Sequence, residues 1–168
     1  MEITRDKIVN QARSWLGTAF RHQGRVKKSI NNKGGVDCLG LIICVAKELN
    51  LKSGVLDKNG KDIPVYKFDD LEYSRNSDPQ KLLNGFTKAC IEIDLSEAKP
   101  ADIILFKFEG MPKHLAIITN IIQNTNDTTN KQITIIHAFL RIGRVVEHII
   151  DDEWKSRIAK VYRLRTLN

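Results

Sequence analysis

A thiol that follows a glycine-rich loop and opens an apolar helix is placed for nucleophilic chemistry. Cys38, in the run Gly34-Gly35-Val36-Asp37-Cys38-Leu39-Gly40-Leu41, is such a thiol. Asp37 is a good helix N-cap, because its carboxylate can accept from a free N–H of the first turn. Behind it Leu41, Ile42, Val45 and Leu49 recur at the spacing of a buried helical stripe. The positive end of the helix dipole then favours a thiolate at Cys38. Gly35 and Gly40 leave room for a backbone to pass close by, as a peptide substrate would require. Against this stands the bland reading of Cys38 as a small buried hydrophobe, the usual fate of a free cysteine.

A cysteine nucleophile needs a base in hydrogen-bond reach and a third group to hold that base in one tautomer. His114 opens an apolar run after the turn Gly110-Met111-Pro112-Lys113, and His137 lies near the end of the next run, Ile135-Ile136-His137-Ala138. If the two runs are antiparallel neighbours, the start of one lies beside the end of the other. The two imidazoles then become adjacent, with His114 as base and His137 as its orienting partner. His22 lies in the loop before Cys38, and His148, beside Glu147 in an alternating run, reads as a plain surface residue. A zinc site of Cys38, His114 and His137 is the rival. Such sites usually show a close ligand pair, which is missing here, so no metal and no cofactor is expected.

The elements that must carry these residues are legible in outline. Ile8, Val9, Ala12, Trp15 and Leu16 share a helical face between Thr4 and Gly17. Residues 17–36 read as a long functional loop. Residues 51–77 are polar, with a turn at Lys58-Asn59-Gly60-Lys61 and an extended piece at Ile63-Pro64-Val65-Tyr66, and Ser77-Asp78-Pro79 starts a short helix through Leu82, Leu83 and Phe86. Strands follow over 102–108, 114–122, 132–139, 144–149 and 159–165, with a short helix at Asp151-Asp152-Glu153-Trp154. Helices first and antiparallel strands after make an α+β protein, N-terminal helices packed on a central antiparallel sheet, in one domain spanning 1–168.

The 168 residues, 42% hydrophobic and 28% charged, suit an ordinary globular core, and no apolar run reaches the length of a membrane span. The N-terminus lacks the apolar segment of a signal peptide, so the expectation is synthesis in the cytoplasm. Three cysteines without metal-type spacing argue against a disulfide framework; Cys44 and Cys90 read as core. The net charge of +7 suggests an anionic partner. Nucleic acid is one candidate, but aromatic–basic interleaving is missing, and carboxylate-bearing cell-wall peptide is the other. Arg21, Arg25, Lys27, Lys28 and Lys33 occur between Thr18 and Val36 with no acid among them.

Taken together, several short pieces in order resemble the NlpC-type, papain-like cysteine peptidases that cut bacterial cell-wall peptides, and more narrowly the branch of phage tails and prophages. The pieces are 12–18 with 20–25, Val36-Asp37-Cys38-Leu39-Gly40-Leu41, Lys99-Pro100-Ala101-Asp102-Ile103, His114-Leu115-Ala116-Ile117, and Ile136-His137-Ala138 followed by Val145-Val146-Glu147-His148. The resemblance implies Cys38 as nucleophile, His114 as base, His137 as the polar third member, and acyl transfer on a stem peptide of peptidoglycan. Asp37, His22, Arg21 and Phe20 are the candidate substrate-binding residues. The resemblance further implies action at the cell wall or periplasm, with phage tail proteins as partners where the chain is carried by a tail. Three positions depart from the family pattern. Phe20 stands where a tyrosine commonly supports the oxyanion, with His22 as a substitute; Leu39 replaces a serine; and the Pro-Gly-Asp turn reads Pro100-Ala101-Asp102. A tail-assembly component carrying a relic of the site is the alternative function, motivated by Phe20 and by the missing wall-binding repeats.

Overall fold

The computed structural model describes residues 3–69, 83–124 and 127–167. The helix start expected at Ser77-Asp78-Pro79, with Leu82, lies outside the described residues. Helix α1 spans Arg5–Arg13, capped by Thr4, whose side chain accepts from the Lys7 N–H. It is shorter than its apolar stripe suggests. The Ser14 hydroxyl donates to the Gln11 carbonyl, and the chain leaves the helix there. Trp15 is nonetheless buried in the following turn, where its indole N–H donates to Glu48 at 2.8 Å.

Residues 17–36 are not a featureless loop. Strands β1 (Arg25–Val26) and β2 (Gly35–Val36) pair antiparallel within it, Arg25 opposite Val36. Helix α2 follows over Cys38–Glu48. It closes in a left-handed cap at Asn50 (φ 50°), where the Asn50 N–H reaches Lys47 O and the Leu51 N–H reaches Ala46 O. A small hairpin, β3 (Lys52–Leu56) and β4 (Asp62–Pro64), turns over Asn59 and Gly60.

The second half builds a six-stranded sheet of β5 (Cys90–Ile93), β6 (Ile103–Phe108), β7 (Met111–Asn124), β8 (Asp127–Phe139), β9 (Arg144–Ile149) and β10 (Ile158–Leu164). The order is β5-β10-β6-β7-β8-β9, with antiparallel pairing throughout. A short helix α3, Asp152–Ser156, precedes β10.

Period-two alternation divides the sheet's apolar residues into two clusters. Ile103, Leu105, Leu115, Ile117, Ile136, Ala138 and Val145 share one cluster with Ile8, Val9 and Ala12 of α1 and Leu41, Ile42 and Val45 of α2. Ile104, Phe106, Ala116, Ile118, Ile133 and Ile135 form the second, with Trp154 of α3 packed against it. Each Leu, Ile, Val or Phe among them contributes about 1.5–3 kcal/mol by leaving water, the alanines less.

The turn before β6 is pinned by a buried charge. Asp102 is fully buried and holds Arg5 at 2.9 Å, Arg163 at 2.7 Å and the Lys99 N–H at 2.8 Å. Ala101 beside it takes φ 71°, a conformation glycine adopts at less cost.

Candidate active site

Three of the chain's glycines let the 17–36 segment lie directly on the N-terminus of α2. A side chain at Gly24 would collide with the Gly35 carbonyl, one at Gly35 with the Arg21 side chain at 2.8 Å, and one at Gly40 with the Gly24 carbonyl at 2.5 Å. The room expected at Gly35 and Gly40 for an incoming peptide is thus occupied by the protein's own backbone and arginines.

Asp37 is the hub of this packing. Its carboxylate accepts from the Gly40 N–H at 2.8 Å, which caps α2, from the Gln23 N–H at 2.6 Å and from Arg25 at 3.1 Å, with His22 Nδ1 at 3.8 Å. Arg25 also pairs with Asp69 at 2.7 Å. Asp37 is buried, and its oxygens are engaged by the protein itself rather than turned outward as a substrate contact. Arg21 is exposed, with its N–H on the Val36 carbonyl. Phe20 is half-buried, and its N–H donates to Gly143 O at 2.7 Å. That bond and the Ala19–Arg144 bridge tie the loop to the turn joining β8 and β9.

Cys38 opens α2 and is half-buried. Backbone N–H groups of Leu115, Leu39 and Cys38 itself face the sulfur and lower its pKa, but burial and the adjacent Asp37 charge outweigh them and push the thiol up to about 12. The resting sulfur is therefore a neutral thiol. The expectation of a dipole-favoured thiolate fails because desolvation dominates at this site. Leu115 follows His114 in β7, so the sulfur lies against the strand that carries this imidazole. Among the described residues the sulfur makes no hydrogen bond to an imidazole.

His114 and His137 do meet across β7 and β8. His114 Nε2 lies 2.6 Å from His137 Nδ1, and both rings are buried. The last paired residues of the two strands before this corner are Ile117 and Ile136, with the histidines just beyond on either side. Burial pushes His114 down to about 3 and His137 to about 2, with neighbouring imidazoles adding to the effect, so both rings rest neutral. An aromatic wall encloses them: Phe139 stacks on His137 at 5.1 Å, and Trp154 stands edge-on at 5.2 Å.

His148 is not the plain surface residue its sequence suggests. It is half-buried, and its Nε2 lies 3.0 Å from His137 Nε2. The signal was available: the tight turn at 140–143 sets Val146 opposite His137 and His148 opposite Ile135, so His148 is the diagonal neighbour of His137 on one face. Chemically, β7, β8 and β9 offer three imidazoles in series, and α2 offers a thiol at its N-terminus against β7.

Cys44 and Cys90 are buried, as their sequence context suggests. Cys44 lines a cavity of about 500 Å³ beside α2, with Trp15, Arg25, Lys27, Lys47 and Tyr66. Among the described residues no helix is long and apolar enough to cross a membrane, and no group of three or more His, Cys, Asp or Glu side chains is arranged to hold a metal ion.

No protein-family model and no curated protein sequence matches the chain. Solved structures do. The NlpC/p60 domain of the peptidoglycan hydrolase SagA superposes over 96% of this chain and 100% of its own, with TM-score 0.56 and 18% identity. A protein described as similar to a lipoprotein of the NLP/P60 family, from Staphylococcus aureus, matches over 98% of this chain and 43% of its own, with TM-score 0.56 and 16% identity. At these identities the likeness is one of architecture, and the fold is of the NlpC/p60 kind.

Proposed function

We propose that the chain is a cysteine endopeptidase acting on the stem peptides of bacterial peptidoglycan, with Cys38 as nucleophile, His114 as general base and acid, and His137 orienting His114. The observation that carries this reading is the 2.6 Å contact between His114 Nε2 and His137 Nδ1, with the backbone N–H of Leu115, next to His114, reaching the Cys38 sulfur. The NlpC/p60 fold, shared with a peptidoglycan hydrolase domain, supports it.

The resting pair is thiol and neutral imidazole, so the reaction begins with proton transfer. Because His114 Nε2 is engaged by His137, Nδ1 is the nitrogen left to take the thiol proton. The thiolate attacks the peptide carbonyl, and the Cys38 backbone N–H supports the oxyanion. His114 returns the proton to the leaving amine, giving a thioester. Water, deprotonated by His114, then releases the acid and restores the thiol. The family resemblance puts the scissile bond between D-glutamate and a diamino acid, whose carboxylates suit exposed cations such as Arg21 and Lys28. Carriage by a phage tail rests on the resemblance to the phage branch, with Leu39 in place of the usual serine.

Incubation with purified peptidoglycan and detection of new amino groups tests the proposal. Equal release by wild type and Cys38→Ala would rule out the peptidase and leave the tail-assembly alternative.

A further inference from the structure

The hydrogen-bond direction through the three histidines is fixed from its outer end. His148 Nδ1 lies 2.9 Å from the Ile149 carbonyl oxygen, which has no hydrogen to give, so Nδ1 carries the proton. In neutral His148 the other nitrogen, Nε2, is then an acceptor. It faces His137 Nε2 at 3.0 Å, so His137 donates from Nε2 and presents a bare Nδ1. That bare Nδ1 faces His114 Nε2 at 2.6 Å, so His114 carries its hydrogen on Nε2 and leaves Nδ1 open. Each assignment follows from the one before it. One backbone carbonyl at the end of β9 thereby selects the basic tautomer of a ring two residues inward along the chain of contacts.

The same chain can move charge. His114 and His137 are buried among Phe106, Phe139 and Trp154, where an imidazolium is poorly solvated. His148 is half-buried at the solvent end. The groups facing it are His137 from β8 and the Trp154 ring of α3 at 5.4 Å; among the described residues no charged side chain hydrogen-bonds or ion-pairs with it.

We propose that His148 is a positioning residue of the site: it sets the tautomers of His137 and His114 through the Ile149 carbonyl, and it takes the positive charge when His114 accepts the thiol proton. The step balances. Cys38 Sγ–H gives its proton to His114 Nδ1, His114 Nε2–H passes to His137 Nδ1, and His137 Nε2–H passes to His148 Nε2. The products are one thiolate and one imidazolium at His148, with His114 and His137 neutral in their opposite tautomers. Return of the proton to the leaving amine runs the chain backwards. The catalytic consequence rests on the peptidase reading above; the tautomer assignments do not.

Long-range proton–nitrogen correlation spectra of the 15N-labelled full chain read each ring nitrogen directly. The expected pattern at alkaline pH is hydrogen on His148 Nδ1, His137 Nε2 and His114 Nε2. On acidification His148 should become doubly protonated while His137 and His114 switch to Nδ1–H together. Hydrogen on His114 Nδ1 at alkaline pH, or an unchanged His137 tautomer when His148 charges, would overturn the proposal. In His148→Leu the two inner rings should lose their single tautomer, and alkylation of Cys38 by iodoacetamide at neutral pH should slow about tenfold, the lower end of what losing an outer hydrogen-bond partner costs a metal-bound histidine. His148→Gln, which can accept from His137 and donate to Ile149 but cannot take up a proton, should restore the single tautomer of the inner rings while the rate stays slow; a wild-type rate in His148→Gln would overturn the charge-taking role. An unchanged rate and tautomer in folded His148→Leu would also defeat the idea. If the wild-type spectrum shows the expected pattern and no peptidoglycan is cut, the histidine chain stands and the peptidase reading falls.

Discussion

The backbone N–H of Gln23 donates to Asp37 Oδ2 over 2.6 Å, so the loop before the helix is fastened to the residue that caps it. Gln23 takes φ 57° to do so, a left-handed conformation in a residue that rarely adopts it. Asp37→Ala removes the cap of α2 and leaves Arg25 without one of its two carboxylates. The expected loss is about 3 kcal/mol, a cap plus a broken, largely buried pair. Urea denaturation of the variant measures it. Asp37→Asn, which keeps the cap acceptor, should lose less.

Gly40→Ala gains helix propensity but sets a methyl against the Arg25 guanidinium and the Gly24 carbonyl. Overpacking against backbone outweighs propensity, for a net loss of about 1–2 kcal/mol. A melting temperature lowered by a few degrees, with Cys38 alkylation altered as the loop shifts, is the expected result.

His114→Ala should slow alkylation of Cys38 at neutral pH by about a hundredfold, because a thiol pushed up to about 12 depends on the neighbouring base to lose its proton. His22→Ala should leave that rate within about twofold, since His22 Nδ1 lies toward Asp37 in a weak, partly exposed pairing. Peptidoglycan hydrolysis should fall about a thousandfold or more in Cys38→Ala and in His114→Ala. Mass spectrometry of the alkylated chain and amine release by digested wall give the two readouts.

Acid should destabilise the fold well above the carboxylate range. His114 and His137 have folded pKa values far below the unfolded value of about 6.5, so below that pH the unfolded chain binds protons the folded chain refuses. Their contribution is complete above pH 6.5 and is lost as pH falls toward the folded values, with a slope of up to about 1.4 kcal/mol per pH unit for each ring. Denaturant midpoints between pH 7 and 5 should show this slope, and the His114→Gln/His137→Gln double variant should flatten it.

Much of this arrangement can be read from the chain. The strands of the second half announce themselves by β-branched alternation and by turn-forming residues at 109–112, 124–130 and 141–143, and antiparallel pairing of the middle two runs is enough to bring His114 against His137. Helix α2 is legible at both ends, from Asp37 and from Asn50. Less legible is anything decided by burial in three dimensions. The end of α1 depends on a Ser14 back-bond that competes with an apolar stripe running on to Leu16. The thiol state of Cys38 depends on desolvation, which a dipole argument from sequence does not weigh. The role of Asp37 as a hub for Gln23, Arg25 and His22 required the loop to fold back on itself, and its short β1–β2 ladder has too few residues to show a period.

The placement of Trp154, 5.2 Å from the His137 ring and 5.4 Å from that of His148, equips the molecule with an internal optical gauge. A protonated imidazole in van der Waals range quenches indole emission, whereas a neutral one does so weakly. Trp15, the other tryptophan, packs in the other apolar cluster beside Glu48 and Lys27, so a Trp154→Phe variant separates the two emissions. Protonation in the histidine row can thus be followed by steady or stopped-flow fluorescence, without a label.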